Sequence, residues 1–139
     1  MEIHSKKVNV SAKSEVLFEI LTNCNNMGKY IPNDKVKDWK STVDSCSFSV
    51  SGAGKIEMAI VEKIPFSTVV FSIGNAAAKD VKVVFYTEKA STQDCQLYAE
   101  ASLEVPFFMM QMIKNPLQKF IDMLIDYIKI EAERNNKIS

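Results

Sequence analysis

The spacing of apolar residues changes twice along the chain, and the changes divide it into three parts. Glu2 to Val10 is short and partly alternating, with Val8 and Val10 on one side, and predicts a strand. From Ser14 to Leu21, Val16, Leu17, Ile20 and Leu21 recur at intervals of three and four, which predicts a helix that Ser11 or Ser14 is placed to cap. Residues 23–26 break it. Met27 to Ile31 has room for one further turn before Pro32, which disfavours helical backbone in the residue ahead of it.

After Asp34 the period becomes two and stays two for about 70 residues, the signature of an antiparallel sheet with one buried face. Cys46, Phe48 and Val50 alternate with serines, and Gly52 and Gly54 punctuate the chain after them. Ile56, Met58 and Ile60 alternate with Lys55, Glu57 and Ala59 up to a turn at Pro65, and Val69 to Ile73, with Phe71 at its centre, is the expected partner strand. Val81, Val83 and Phe85 alternate with Lys82, Val84 and Tyr86. Cys95, Leu97, Ala99, Ala101 and Leu103 alternate with Gln96, Tyr98, Glu100, Ser102 and Glu104.

Helical spacing then returns. Leu117, Phe120, Ile121, Leu124 and Ile128 step by three or four, and Met123, Ile125, Tyr127 and Ile130 widen the apolar stripe until the helix must be largely covered. Pro116 suits a first helical turn, where its missing N–H does no harm. The expected helix therefore runs from near Asn115 to about Arg134, with Phe107 to Ile113 as a separate approach segment. The sheet's apolar face is the natural cover for it.

Composition narrows the chemistry. Seventeen Lys plus Arg balance seventeen Asp plus Glu in 139 residues, and 47% of the chain is hydrophobic, which argues against a disordered tail and against nucleic acid as a partner. The longest uncharged apolar stretch, Val105 to Ile113, is nine residues, far short of the roughly 20 that a spanning helix needs, so no integral membrane segment is expected. The opening MEIHSKKVNV lacks the apolar segment of a secretory signal, so a cytoplasmic location is expected. Cys24, Cys46 and Cys95 are odd in number and never form C-x-x-C, and His4 is the single histidine. Buried reduced thiols and no metal or other cofactor are the expectation.

The order of strand, two short helices, about six antiparallel strands and one long helix is the helix-grip arrangement, an α+β fold. The run VNVSAKSEVLFEILTNCNNMGKYIP resembles the opening of the START-like superfamily, also called SRPBCC, in which a strand leads into a helix and a short segment ending in Pro. KIEMAIVEKIPFSTVVFSIG looks like its central hairpin, and LEVPFFMMQMIKNPLQKFIDMLIDYIKIE like its terminal loop and grip helix. The resemblance covers nearly the whole chain, with no catalytic signature in it. It implies one domain over residues 1–139, in which a curved antiparallel sheet of six to seven strands wraps around the C-terminal helix.

It also implies a cavity between sheet and helix and noncovalent binding or transport of a small hydrophobic ligand, lipid, polyketide-like or isoprenoid-like, without turnover. From the sheet, Phe48, Met58, Ile60, Phe71, Val83 and Phe85 would face that ligand, with Leu97, Ala99, Ala101 and Leu103 from the last strand. Met110, Ile113, Leu117, Phe120 and Leu124 would face it from the helical side. Relatives also include polyketide cyclases and chaperone ATPase activators. A cyclase or isomerase using the cavity with Glu62 or Tyr86, and a protein-interaction module, are therefore the alternatives. Ligand identity and oligomeric state are not legible.

Other features carry two readings each. SGAGK, residues 51–55, looks like a phosphate loop but lacks the first glycine, the Ser or Thr after Lys55 and a following helix, so a hairpin turn is expected. Phe107, Phe108, Met109, Met110 and Met112 suit either an adaptable gate or plain core. Ala99 and Ala101 leave room that Phe120 or Met123 is able to fill. Glu62 shares the parity of the inward residues, so a regular strand buries its carboxylate, whereas a bulge returns it to solvent. Asp122 and Asp126 read as the wet edge of the helix, His4 as surface, and Trp39 and Tyr30 as packing or as a platform for a flat ligand.

Overall fold

A computed structural model describes residues 2–26, 36–50, 54–74, 81–104 and 106–138, the side chains of residues 116 and 135–138 excepted. The strands are β1 Glu2–His4, β2 Val8–Val10, β3 Val36–Ser41, β4 Ser45–Val50, β5 Gly54–Ile64, β6 Thr68–Gly74, β7 Val81–Lys89 and β8 Cys95–Ser102; the helices are α1 Ser14–Leu21 and α2 Phe107–Ile138. Every pairing is antiparallel, in the order β1-β8-β7-β6-β5-β4-β3, with β2 also beside β8. Residues 24–26 add one helical turn after α1; residues 27–35, with Tyr30 and Pro32, lie outside the described part.

Eight strands thus occupy seven positions, because the expected N-terminal strand is two. His4 pairs with Glu100 and Val8 with Leu97, so four steps along this edge match three along β8. Ser5 stands at the bulge: its N–H donates to the Ala99 carbonyl at 2.8 Å, and its Oγ accepts the Ala99 N–H at 2.7 Å. One extra residue reverses side-chain parity. That reversal turns both Ile3 and Val10, which stand out of phase in sequence, into the core.

Within β4, β6, β7 and β8, and in β5 up to Ile60, period two holds. Cys46, Phe48, Met58, Val83, Phe85, Leu97 and Leu103 are buried and Ile60 is half-buried, whereas Lys55, Glu57 and Lys82 are exposed and Gln96 and Glu100 half-exposed. Val50 pairs with Gly54, and a strand starts at Gly54 where a phosphate loop needs a helix; residues 51–53 of the SGAGK run lie outside the described part. Gly54 has φ +79, a left-handed backbone that disfavours a side chain.

The helices depart from expectation at their ends. Lys13 rather than Ser11 or Ser14 is the N-cap of α1, and its side chain makes no capping bond. Ser14 Oγ bonds Glu15, and the Ser11 N–H donates to Glu133 on α2 at 3.0 Å. The approach segment is no separate piece: α2 is continuous from Phe107 through Pro116, and ends at Ile138 rather than near Arg134. Pro106 sits at the start that sequence had suggested for Pro116, its carbonyl accepting the N–H groups of Met109 and Met110. Pro116 offers no N–H to the Met112 carbonyl, so the helix crosses a gap in its own ladder there.

Ile121, Leu124, Ile125, Ile128 and Ala132 on α2 are completely buried, whereas Met109, Met110, Ile113 and Leu117 on its earlier turns are half-exposed. Along one side of α2 a row of polar side chains holds the sheet edge. Gln118 donates to the His4 carbonyl at 2.8 Å, Asp122 accepts the Lys6 N–H at 3.2 Å, Lys129 donates to the Asn9 carbonyl at 2.8 Å, and Glu133 accepts from Ser11. The two elements run side by side. His4 to Ser11 spans roughly 23 Å of strand and Gln118 to Glu133 about 22 Å of helix, so one polar side chain per helical turn meets the edge in register.

Asp122 and Asp126 are therefore fasteners: Asp126 also pairs with the Lys6 ammonium at 2.7 Å, a contact that raises the Lys6 pKa. Backbone groups that would leave the edge open to another strand are occupied.

Leu124→Asp sets an unpaired charge into the fully buried face of α2 and is expected to abolish the cooperative urea transition; a variant that melts like wild type would show α2 to be a detachable arm. Asp122→Ala is expected to speed amide exchange at Lys6 about five-fold, the protection that ~1 kcal/mol of hydrogen bonding gives, while leaving Phe85 and Leu97 at the sheet centre unchanged.

Candidate functional site

The register sets the inward side chains of the sheet in rows. Ile3, Ala101, Val83, Phe71 and Ile60 form one row across five strands. Val81, Ile73, Met58 and Cys46 form the next towards the β4–β5 loop, with Ile56 and Phe48 beyond it. On the other side of the first row lie Ala99, Phe85 and Val69. Small residues therefore stand on β8 and aromatic ones on β4, β6 and β7.

That gradient matches the position of the helix. The α2 backbone comes within 8 Å of β1, β2, β8 and α1. The alanines of β8 allow this close approach, so part of the room they leave is taken by α2 itself. Farther across the sheet aromatic rings fill the widening space: Phe71 and Phe85 meet edge to face at 5.5 Å, and Trp39, Phe48 and Phe120 stack in series at 5.3 and 5.8 Å. Trp39 is thus engaged by Phe48, and Phe120 ties α2 to β4.

The residues expected at the ligand form three groups. Phe48, Met58, Phe71, Val83, Phe85, Leu97, Ala99, Ala101 and Leu103 line the buried inner face of the sheet, with half-buried Ile60 at its margin. Phe120 and Leu124 sit on α2 over this face, Leu124 fully buried. Met110, Ile113 and Leu117 are half-buried along the first turns of the same helix, next to Phe107, Phe108 and Met112, which are at least 70% exposed.

Neither acid–base candidate faces the interior. Ile60 pairs with Phe71 but Glu62 with Val70, so Val61 is an extra residue and the bulge turns the Glu62 carboxylate to solvent. Tyr86 lies on the outer face of the sheet, directly opposite Tyr98, with the rings stacked at 5.0 Å. The Tyr98 hydroxyl donates to Glu88 at 2.6 Å, a bond that with burial pushes its pKa up to about 12, and Lys7 lies over its ring at 4.5 Å. A cyclase or isomerase acting over the inner face of the sheet through Glu62 or Tyr86 does not fit this placement. His4 is exposed, between Glu2 and Glu100.

All three cysteines are free and buried. Cys95 donates to the Ala12 carbonyl at 3.3 Å, and burial pushes its pKa up to about 11. The thiols of Cys24 and Cys46 lie against each other beneath the β3–β4 turn, where the Cys24 N–H donates to Val43 at 2.9 Å. Their shared hydrogen bond lowers the pKa of Cys24 and, with burial, raises that of Cys46. Among the described residues no three His, Cys, Asp or Glu side chains gather as a metal site, and no helix is long and apolar enough to cross a membrane.

The row Gln118, Asp122, Asp126, Lys129 and Glu133 was not anticipated, although its spacing by three and four marks one polar helix face in the sequence.

No family model matches the chain, and no curated protein matches it in sequence. Solved structures do match in shape. A norcoclaurine synthase mutant from Thalictrum flavum superposes with a TM-score of 0.78 at 8% identity, covering 97% of this chain and 95% of that one. A START superfamily protein from Mycobacterium smegmatis gives 0.72 at 14%, covering 96% and 97%. The Aha1 dimer from Colwellia psychrerythraea gives 0.65 at 17%, covering 96% of each. With this strand order, the continuous C-terminal helix on the inner face and those superpositions, the chain has the START-like, or SRPBCC, helix-grip fold.

Proposed function

We propose that the chain binds a small hydrophobic molecule noncovalently between the inner face of its sheet and the first turns of α2. The observation that carries this reading is the change in burial along one apolar helix face, complete from Ile121 to Ala132 and partial from Met109 to Leu117. An apolar face left half-covered at one end of a core is where an apolar guest gains most from leaving water. The described inner face is apolar but for Thr87, and Glu62 and Tyr86 point elsewhere, which supports recognition by shape and volume. The neighbours in shape include a START superfamily protein and a synthase, and sequence identities of 8–14% leave the ligand class to experiment.

Native mass spectrometry of the purified full chain is expected to show a bound apolar molecule that organic solvent releases. A bare chain that also fails to bind an apolar fluorescent probe would instead favour a solid-cored interaction module. Met110→Trp probes this space: in a cavity it costs less than about 1 kcal/mol and displaces the probe, and in a filled core it costs on the order of 1–3 kcal/mol.

A further inference from the structure

The first two turns of α2 are apolar but for the exposed Gln111. Half-buried Met109, Met110 and Ile113 face the body of the protein, while Phe107, Phe108 and Met112 stand outside at 74%, 70% and 73% exposure. Phe108, Met112, Asn115 and Lys119 fall on one stripe, at intervals of four, three and four residues, on the side away from Ile121, Leu124 and Ile128. Three large apolar side chains this bare at one helix tip need a cover.

Area and charge distinguish the occupant. The three side chains present on the order of 400 Å², about half of the ~800 Å² per partner in a standard protein interface. They project from the helix tip, whereas protein hot spots sit in closely packed pockets. Between Pro106 and Ile121 the chain carries Lys114 and Lys119, both exposed, and no acid; the bounding acids are Glu104 and Asp122. An apolar tip with one exposed lysine on each side of the helix behind it fits the boundary between acyl chains and anionic headgroups.

We propose that the N-terminal tip of α2 docks on a lipid bilayer surface carrying anionic headgroups, inserting Phe107, Phe108 and Met112 with Lys114 and Lys119 at headgroup level. Phe108, Met112 and Lys119 are on the opposite side of the helix from the proposed ligand lining, whereas Phe107 and Lys114 fall on the lining side of the tip, so substitutions at Phe108 and Met112 test docking apart from the ligand reading.

The test is flotation of the full chain with vesicles of phosphatidylcholine alone and of phosphatidylcholine with about one third phosphatidylserine. The wild type is expected to float with the mixed vesicles and much less with the neutral ones. Phe108→Glu combined with Met112→Glu is expected to abolish flotation while shifting the melting midpoint by no more than ~2 °C, since both side chains are mostly in water. Lys114→Ala and Lys119→Ala are each expected to weaken binding to the mixed vesicles about five-fold.

A wild type that floats with neither vesicle overturns the proposal, as does a double glutamate variant that floats like wild type. Equal flotation with both compositions overturns the anionic preference on which the occupant was chosen. Sedimentation equilibrium without lipid closes the remaining possibility: a dimer of the wild type that the glutamate variant splits assigns the face to a second copy, and a monomer in both leaves it to lipid.

Discussion

Everything in this molecule depends on one contact, the burial of Ile121, Leu124, Ile125, Ile128 and Ala132 of α2 against α1 and the small-residue strand β8. Fully burying an aliphatic side chain is worth about 1.5–3 kcal/mol, so the four large ones together match the whole net stability of a typical domain. Without α2 the inward face of β8 loses its helical cover and α1, which lies against β6 and β7, loses its packing partner. Without β8 and α1 the helix has no reason to persist, because tertiary packing rather than propensity supplies most helical stability. Sheet and helix are therefore one cooperative unit, and the alanines of β8 set how near the helix comes.

A sheet with this topology has two edges, and the fastening of one explains residues that look idle in sequence. Gln118, Asp122, Lys129 and Glu133 occupy backbone groups of the β1–β2 edge. The opposite edge strand, β3, is broken by a bulge between Lys37 and Lys40, with Asp38 at φ 57 and charged residues on both sides of Trp39. Covered on one side and kinked and charged on the other, the sheet does not present a long flat edge along its described strands.

Strand interiors and the core face of α2 were legible because burial repeats every two or about 3.6 residues, and Phe48, Phe85, Leu97 and Leu124 fall where that period puts them. The bulge at Ser5 was not, since one added residue changes parity without changing composition, and the one before Glu62 was legible as one of two readings. Val61 returned Glu62 to solvent and Ser5 brought Ile3 inward, and only the clash of phase between Ile3 and Val10 records the second in sequence. Pro116 misled for a related reason. Both Pro106 and Pro116 suit a first turn, and the choice between them was made by packing on either side of Met109 to Leu117, which is long-range. The site was legible as a set of inward positions. Its contents were not, because an apolar lining carries no directional chemistry.

The gap at Pro116 lies where the two tasks of α2 separate. After it the helix faces β8, and its inner side chains are as buried as any core. Before it the same apolar spacing continues with half its cover missing. A proline inside a helix costs about 3 kcal/mol where the surrounding ladder is tightly constrained. Here the bond it removes belongs to the exposed stretch, so the loss falls on the segment that contributes least to the core. Under the proposed reading this is also the segment that benefits from being loosely held. Phe71 and Phe85 hold each other ring to ring and Phe48 is held between Trp39 and Phe120, and under the same reading Met109 and Met110 would be a roof of flexible side chains over them. Such a floor under such a roof would select a guest by volume more than by pattern, which is consistent with an inner face on which Thr87 is the buried polar side chain among the described residues.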